Sequence, residues 1–472
     1  MLTLNANDIT PLYKQLYQQI REQVLSGRLA AHAKLPSVRD LAAELATSRN
    51  TVEGAYQELY AEGYIYSRER SGYFVSVLDH DVAPLPAAPK PRAADSACTP
   101  VDYRYDFHPA RLDPASFPSA IWRRCFIESL QEHGRELAGY PADFQGDWEL
   151  RCHLQGYLER SRGVICEPEQ IVICSGLQQG LDLVAHLLKE SHGSVAVEDP
   201  GYPLPRSVFH NNQFRVVPVP VRASGIDLVR LRESGASIVY VTPSHQLPLG
   251  YVMPIASRLK VIEWAEAGGN LVIEDDYDSE LRYHGKPIPS LQGLRPDANI
   301  IYTGTFSKIL SPALRMSYLV LPRALLAPFR ALYRDYFPTV SLLEQKTMER
   351  FMAQGFWERH IRRMRITCQK KHDALLNSIE RHFGNRAVVV GQGAGLHVVL
   401  QLLAENPGEA EIMQRAARQG IHLLPFSATC ATGESGAANL LLGFGGMTSA
   451  EADEGIRLLS GLCFGNSSAR AD

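Results

Sequence analysis

Tyr302-Thr-Gly-Thr-Phe-Ser-Lys308-Ile-Leu-Ser-Pro-Ala-Leu-Arg315 sets one lysine among small hydroxyl residues and places an arginine seven positions beyond it. A lysine that forms a Schiff base must be held rigidly and partly desolvated, so that its amine can be neutral. Hydroxyls such as Thr305 and Ser307, with Arg315 beside them, make a natural phosphate cradle. Roughly thirty residues upstream, Leu271-Val-Ile-Glu274-Asp275-Asp276-Tyr277 reads as a buried strand ending in acids. A carboxylate there can protonate a pyridine nitrogen. Taken alone, a lysine in a Ser/Thr-rich loop reads as a solvated surface lysine. The ordered pair of motifs changes that reading. Lysine, phosphate cradle and strand-end acid are the three groups that pyridoxal 5'-phosphate (PLP) needs.

Around this core, strand and helix signals alternate from about residue 105 to the end. Ile171-Val-Ile-Cys-Ser, Ser194-Val-Ala-Val-Glu, Phe214-Arg-Val-Val-Pro-Val, Ile238-Val-Tyr-Val-Thr, Asn270-Leu-Val-Ile-Glu and Ile300-Ile-Tyr-Thr are short apolar runs between helix-length segments. The pattern predicts an α/β domain with a mostly parallel sheet, whose chemistry sits at the strand ends. Ser175-Gly176-Leu177-Gln178 follows the first of these strands and opens a helix, and backbone N–H groups at such a turn bind phosphate.

These motifs resemble the fold-type I aminotransferases. In that family a serine or threonine three residues before the lysine and an arginine after it hold the phosphate, and Thr305 and Arg315 match those places. The family's aspartate maps to Asp275 and its phenol at the ring hydroxyl to Tyr277. Glu274 and Asp276 are the competing acids, which strand alternation would point the other way. Tyr202, in Asp199-Pro-Gly-Tyr202, matches the aromatic that stacks on the cofactor ring. Pro243-Ser-His245-Gln246-Leu-Pro248-Leu-Gly250 matches the loop where aminotransferases carry Asn-Pro-x-Gly. The asparagine is absent, which leaves His245 or Gln246 to supply a polar contact, or neither if the loop is structural. Leu441 falls where the family keeps the arginine that clamps the substrate carboxylate, with Arg206 as a possible substitute. A bidentate guanidinium–carboxylate pair is hard to replace with an aliphatic side chain.

Ahead of this domain lies Asp79-His-Asp-Val-Ala-Pro-Leu-Pro-Ala-Ala-Pro-Lys-Pro-Arg-Ala-Ala-Asp95. Its prolines forbid a helix and favour extended backbone, so residues 79–104 read as a semi-rigid linker. The expected division is a DNA-binding domain over 1–78, the linker, and an effector domain over 105–472. In the first domain Leu12, Leu16, Ile20 and Val24 recur every four residues, an amphipathic helix stopped near Ser26-Gly27. Pro36-Ser37 opens a second helix, and Thr47 or Ser48 caps a third. Gly63 to Val77 reads as two strands around a turn. Three helices and a hairpin make an α+β winged helix-turn-helix.

Residues 1–78 carry eight basic and eight acidic side chains, so net charge does not argue for DNA. The local pattern does. Arg39 starts the second helix, Ser48-Arg49-Asn50-Thr51 starts the third, and Arg68 and Arg70 sit at the wing tip. Helix N-termini, hydroxyls and arginines are what phosphate and base-edge contacts require.

This segment resembles the GntR family of bacterial regulators through Lys34-Leu-Pro-Ser-Val-Arg39-Asp-Leu-Ala, Ser48-Arg-Asn-Thr-Val52, Ala55-Tyr-Gln-Glu-Leu59 and Glu62-Gly-Tyr-Ile. In that family the residues matching Arg39, Arg49 and Thr51, with the wing, face DNA. A GntR head joined to an aminotransferase-like body is the signature of the MocR subfamily. The resemblance implies a PLP-binding, domain-swapped homodimer that binds double-stranded operator DNA and responds to a small molecule, either PLP itself or an amine or amino acid. A working aminotransferase with an attached DNA-binding head is the competing expectation, since Lys308 is retained.

Composition sets the remaining bounds. Of the 472 residues 45% are hydrophobic and 21% charged, as in a soluble globular protein. The net charge of -3 names no partner. No run of eighteen apolar residues predicts a membrane span, and the polar N-terminus is no secretory signal. Eight scattered cysteines without a CxxC pair fit reduced thiols in a cytoplasmic protein, not a disulfide frame or metal site.

Overall fold

The computed structural model describes residues 2–5, 8, 10–68, 71–77, 103–141, 143–283, 288–403, 407–433 and 438–465. It forms two units, Met1–Val101 and Asp102–Asp472. Apart from Tyr103 and Arg104, the segment read as a linker lies outside the described residues, as does Arg70.

In the first unit, α1 (Leu12–Leu25), α2 (Val38–Glu44) and α3 (Arg49–Ala61) precede the hairpin of β1 (Ile65–Arg68) and β2 (Gly72–Val75). The four-residue spacing of Leu16, Ile20 and Val24 places them on one stripe of α1. That stripe packs on Leu41 and Ala42 of α2 and on Val52, Ala55, Tyr56 and Leu59 of α3. Ser37 caps α2 by accepting the Asp40 N–H at 3.1 Å, and Ser48 caps α3 by accepting the Thr51 N–H at 3.1 Å. Each cap satisfies an amide the helix leaves unpaired, worth about 1 kcal/mol. The hairpin is antiparallel, with Ile65 opposite Val75 and Arg68 opposite Gly72. This is the expected winged helix-turn-helix.

The second unit is built on an eight-stranded sheet. Its spatial order is Ile171–Cys174, Ser317–Val320, Ile300–Thr305, Leu271–Asp276, Ile238–Val241, Ser194–Asp199, Arg215–Arg222 and Gly225–Ile226. Only Ser317–Val320 and the terminal Gly225–Ile226 run antiparallel to their neighbours. The central strands are buried on both faces, as helix-covered parallel strands must be. Val197 and Ile273 enter one apolar cluster, and Ala196 and Val272 enter another. The C-terminal ends of the parallel strands lie at one edge of the sheet, where open α/β sheets hold their ligands.

Two features were not anticipated from sequence. One is the antiparallel strand Ser317–Val320. The other is a four-stranded antiparallel sheet ordered Ala387–Val390, His397–Leu402, Asn439–Gly443 and Leu424–Pro425. Apolar runs of four to six residues carry too little periodicity to separate strand from buried helix.

Candidate functional site

A cavity of about 470 Å³ opens at that C-terminal edge, within the second unit. Lys308 enters it from the loop after strand Ile300–Thr305. Its Nζ donates to the carbonyl of Pro109 at 3.3 Å and lies 5.7 Å from the centre of the Tyr277 ring. Burial pushes the amine's pKa below that of an ordinary lysine, while Asp278 and Asp275 pull it back up. The net shift favours the neutral, nucleophilic form.

Strand alternation sorts the three consecutive acids. Asp275 lines the cavity. It accepts hydrogen bonds from Thr303 Oγ1 at 3.0 Å and from the Tyr240 hydroxyl. Thr303 lies directly across the strand pair from Asp275, so this contact is built into the register. Burial raises the Asp275 pKa to about 6 against the pull of those two hydroxyls. Glu274 points the other way and accepts the N–H groups of Leu291 and Gln292 at 2.8 and 3.0 Å, which anchors a short helix. Asp276 pairs with Arg162 at 2.5 Å and accepts from the Tyr302 hydroxyl at 2.6 Å. Burial would raise its pKa, but the Arg162 guanidinium and the Tyr302 and Ser279 hydroxyls together hold it below the usual carboxylate range. Both neighbours therefore have structural partners.

At one end of the cavity the helix Leu177–Leu188 begins after Gly176, whose φ of +86° lies in the left-handed region. A β-carbon there would strike the guanidinium of Arg315. Arg315 itself adopts φ +49°, rare outside glycine. Leu177, Gln178, Thr305, Ser307 and Arg315 all line this end. The Thr305 hydroxyl accepts the Ser307 N–H at 3.1 Å. Ser175 and Gly176 are set back from the wall, and the Ser175 N–H is taken by Gln179 at 2.7 Å. A helix N-terminus, hydroxyls and a guanidinium converge on one small volume without an acid among them, which is an anion corner.

Tyr202 and Tyr277 also line the cavity. His245 and Gln246 do not. His245 Nδ1 pairs with Asp278 at 2.8 Å and lies 3.1 Å from the Tyr277 hydroxyl, so it stands behind the wall. Gln246 donates to the carbonyls of Pro200 and Leu247 at 2.8 and 2.7 Å. Of the loop 243–250, Leu247 lines the cavity.

The other end is formed by segments that no sequence motif announced. His108-Pro109-Ala110 and Leu424-Pro425 border it, with Leu441 beside them. Leu441 is 2% exposed, in the middle of its strand, opposite Val399 on one side and Leu424 on the other. Arg206 is not on the wall and donates to the Ala428 carbonyl at 3.2 Å.

The residues fit PLP. An amine shifted toward neutrality, a buried carboxylate with no cation of its own, a phenol, an exposed tyrosine ring and an anion corner share one cavity. Among the described residues no group of three or more His, Cys, Asp or Glu side chains is arranged to hold a metal ion.

In the first unit, Arg39, Ser48, Arg49 and Asn50 are exposed at the starts of α2 and α3. The Thr51 hydroxyl lies 2.8 Å from that of Ser48. The buried face of α3 is the opposite one, so its N-terminal polar face is open. Arg68, at the end of β1, stacks over Phe74 at 4.9 Å and donates to the Tyr66 hydroxyl at 3.1 Å.

Comparison with known proteins matches these two parts. Residues 12–75 match the family of bacterial regulatory proteins, gntR family. Residues 114–459 match aminotransferase class I and II. The chain is 39% identical over 456 residues to an uncharacterized HTH-type transcriptional regulator, YdeL, of Bacillus subtilis, covering 97% of each. It is 33% identical over 440 residues to the probable rhizopine catabolism regulatory protein MocR of Rhizobium meliloti, covering 90% of this chain and 89% of that protein. Among solved structures, LysN, an alpha-aminoadipate aminotransferase of Thermus thermophilus complexed with N-(5'-phosphopyridoxyl)-L-leucine, superposes with a TM-score of 0.67 at 26% identity, over 75% of this chain and 90% of that one. The second unit thus has the fold-type I aminotransferase fold. The chain belongs to the MocR subfamily of GntR-type transcriptional regulators. No helix among the described residues is long and apolar enough to cross a membrane.

Proposed function

We propose that this MocR-type regulator binds operator DNA through residues 1–78 and carries PLP on Lys308 in an effector domain over 105–472, joined by the segment 79–104. The observation that carries the proposal is the meeting of Lys308, Asp275 and the Gly176–Arg315 corner in one cavity. When bound, PLP supplies an aldehyde that condenses with amines and a ring that draws electrons from the attached carbon. The chain's own residues do the rest. Lys308 Nζ, kept toward neutrality by burial, would be the amine that holds the cofactor. Asp275 holds a proton on the ring nitrogen, steadied by Thr303 and Tyr240. Tyr277 and Tyr202, both on the cavity wall, would hold the ring, as the family resemblance implies. Thr305, Ser307, Arg315 and the amides that open helix Leu177–Leu188 hold the phosphate.

Arg39, Arg49, Asn50 and Thr51 meet DNA from the starts of α2 and α3, with Arg68 from the wing. The working unit is a cytoplasmic homodimer, domain-swapped as the family resemblance implies. A ligand in the cavity changes DNA binding only if the two arrangements of the dimer hold it unequally. A working aminotransferase is the weaker reading, because Leu441 leaves the cavity without a carboxylate clamp.

The purified chain should carry the visible absorption of lysine-bound pyridoxal. Borohydride reduction and peptide mapping should then place the label on Lys308, and Lys308→Ala should abolish it. A label on another lysine, or none after incubation with PLP, refutes the assignment.

A further inference from the structure

We infer that the cavity accepts, beside the pyridoxal group, a primary amine with an apolar body and no carboxylate. This inference rests on the PLP reading of the same cavity and adds the class of its second ligand.

The charges on the wall lead to it. Among the described residues lining the cavity, Lys308 and Arg315 are the only lysine and arginine. Arg315 is packed against Gly176 at the anion corner. Lys308 is the attachment point. His108 also lines the wall, but burial lowers its pKa, and its Nδ1 already accepts the Ala110 N–H at 3.0 Å. Arg206 is off the wall, and Arg111 pairs with Asp106 at 2.8 Å. Within this chain a ligand carboxylate would therefore lose its hydration without gaining a cation.

The aliphatic character at this end is fixed by the fold. Leu441 sits between two strands, in contact with Val399 and Phe426 in a small apolar cluster. Leu424 is its cross-strand neighbour. Leu247 and Leu204 continue the apolar wall. An amine meets no such obstacle, since it can enter neutral, the form that burial favours at Lys308. On binding, the ligand nitrogen replaces Nζ on the aldehyde carbon. One C=N bond forms as the other breaks, the two protons released by the ligand nitrogen pass to Nζ, and no electrons are gained or lost.

The test titrates the PLP-loaded full-length chain with matched pairs, 2-phenylethylamine against phenylalanine and 3-methylbutylamine against leucine. Absorption and calorimetric heats are both recorded. Each amine should saturate at a concentration at least tenfold lower than its amino acid. In Leu441→Arg the order should reverse by a similar factor. The wild-type comparison decides even if the variant fails to fold. An amino acid that binds as tightly as its amine, or amines that give no response, overturns the inference while leaving PLP binding intact. A chain that never acquires the pyridoxal absorption removes the PLP reading itself.

Discussion

A β-carbon at residue 176 would meet the guanidinium of Arg315 and force it to shift. The two residues are far apart in sequence, and a single strand joins their surroundings. Ser317–Val320 lies between Ile171–Cys174 and Ile300–Thr305, with Ser317 opposite both Cys174 and Thr305. The turn at Gly176 and the loop carrying Lys308 and Arg315 are therefore brought together by sheet register.

Gly176→Ala should weaken retention of PLP at least tenfold. The substitution forces an L side chain into φ +86°, a cost of about 1–3 kcal/mol, and displaces Arg315 as well. Dialysis followed by absorption measures the loss. Retention equal to the parent chain would show that the phosphate is held elsewhere.

The pH dependence of PLP affinity should report on Asp275. Burial raises its pKa to about 6 in the unliganded protein, against Tyr240 and Thr303 and with some help from Asp276 and Asp278. A protonated ring nitrogen needs the ionised carboxylate. Below pH 6 binding must first expel a proton from Asp275, so this group makes affinity rise with pH through about 6 and then level off. Asp275→Asn should remove that slope and weaken binding by about 1.5–3 kcal/mol, the range for hydrogen bonds to charged groups. An unchanged slope in the variant would assign the titration to another group.

Arg49→Ala should weaken specific operator binding by about 1–3 kcal/mol without altering the pyridoxal absorption. Arg49 is exposed at the first turn of α3, and truncating it disturbs neither the Ser48 cap nor the buried face. Fluorescence anisotropy over a range of salt concentrations separates this base contact from phosphate contacts, whose loss would shallow the salt slope. Undiminished affinity would move recognition away from this helix.

Much of this architecture is legible in the sequence. The three helices, the wing and the alternating body follow from periodicity, caps and turn residues. Asp275 could be preferred to Glu274 and Asp276 because alternation along a strand fixes which acids share a face. The opposite wall was not legible. His108-Pro109-Ala110 and Leu424-Pro425 carry no motif, and they reach the cavity only through long-range packing. The loop at 243–250 carried a polar signal whose side chains the fold sets off the cavity wall. His245 and Gln246 are polar, yet Asp278 and the Pro200 carbonyl engage them away from the wall, which this loop reaches through Leu247.

Occupation of Lys308 by PLP is expected to control DNA binding. The direct measurement is the affinity for DNA from upstream of the chain's own gene, with and without PLP, for the wild type and Lys308→Ala. The wild-type affinity should change when PLP is added, and the change should vanish in Lys308→Ala while that variant still binds DNA. Equal affinities for the free and PLP-loaded wild type would contradict control by PLP.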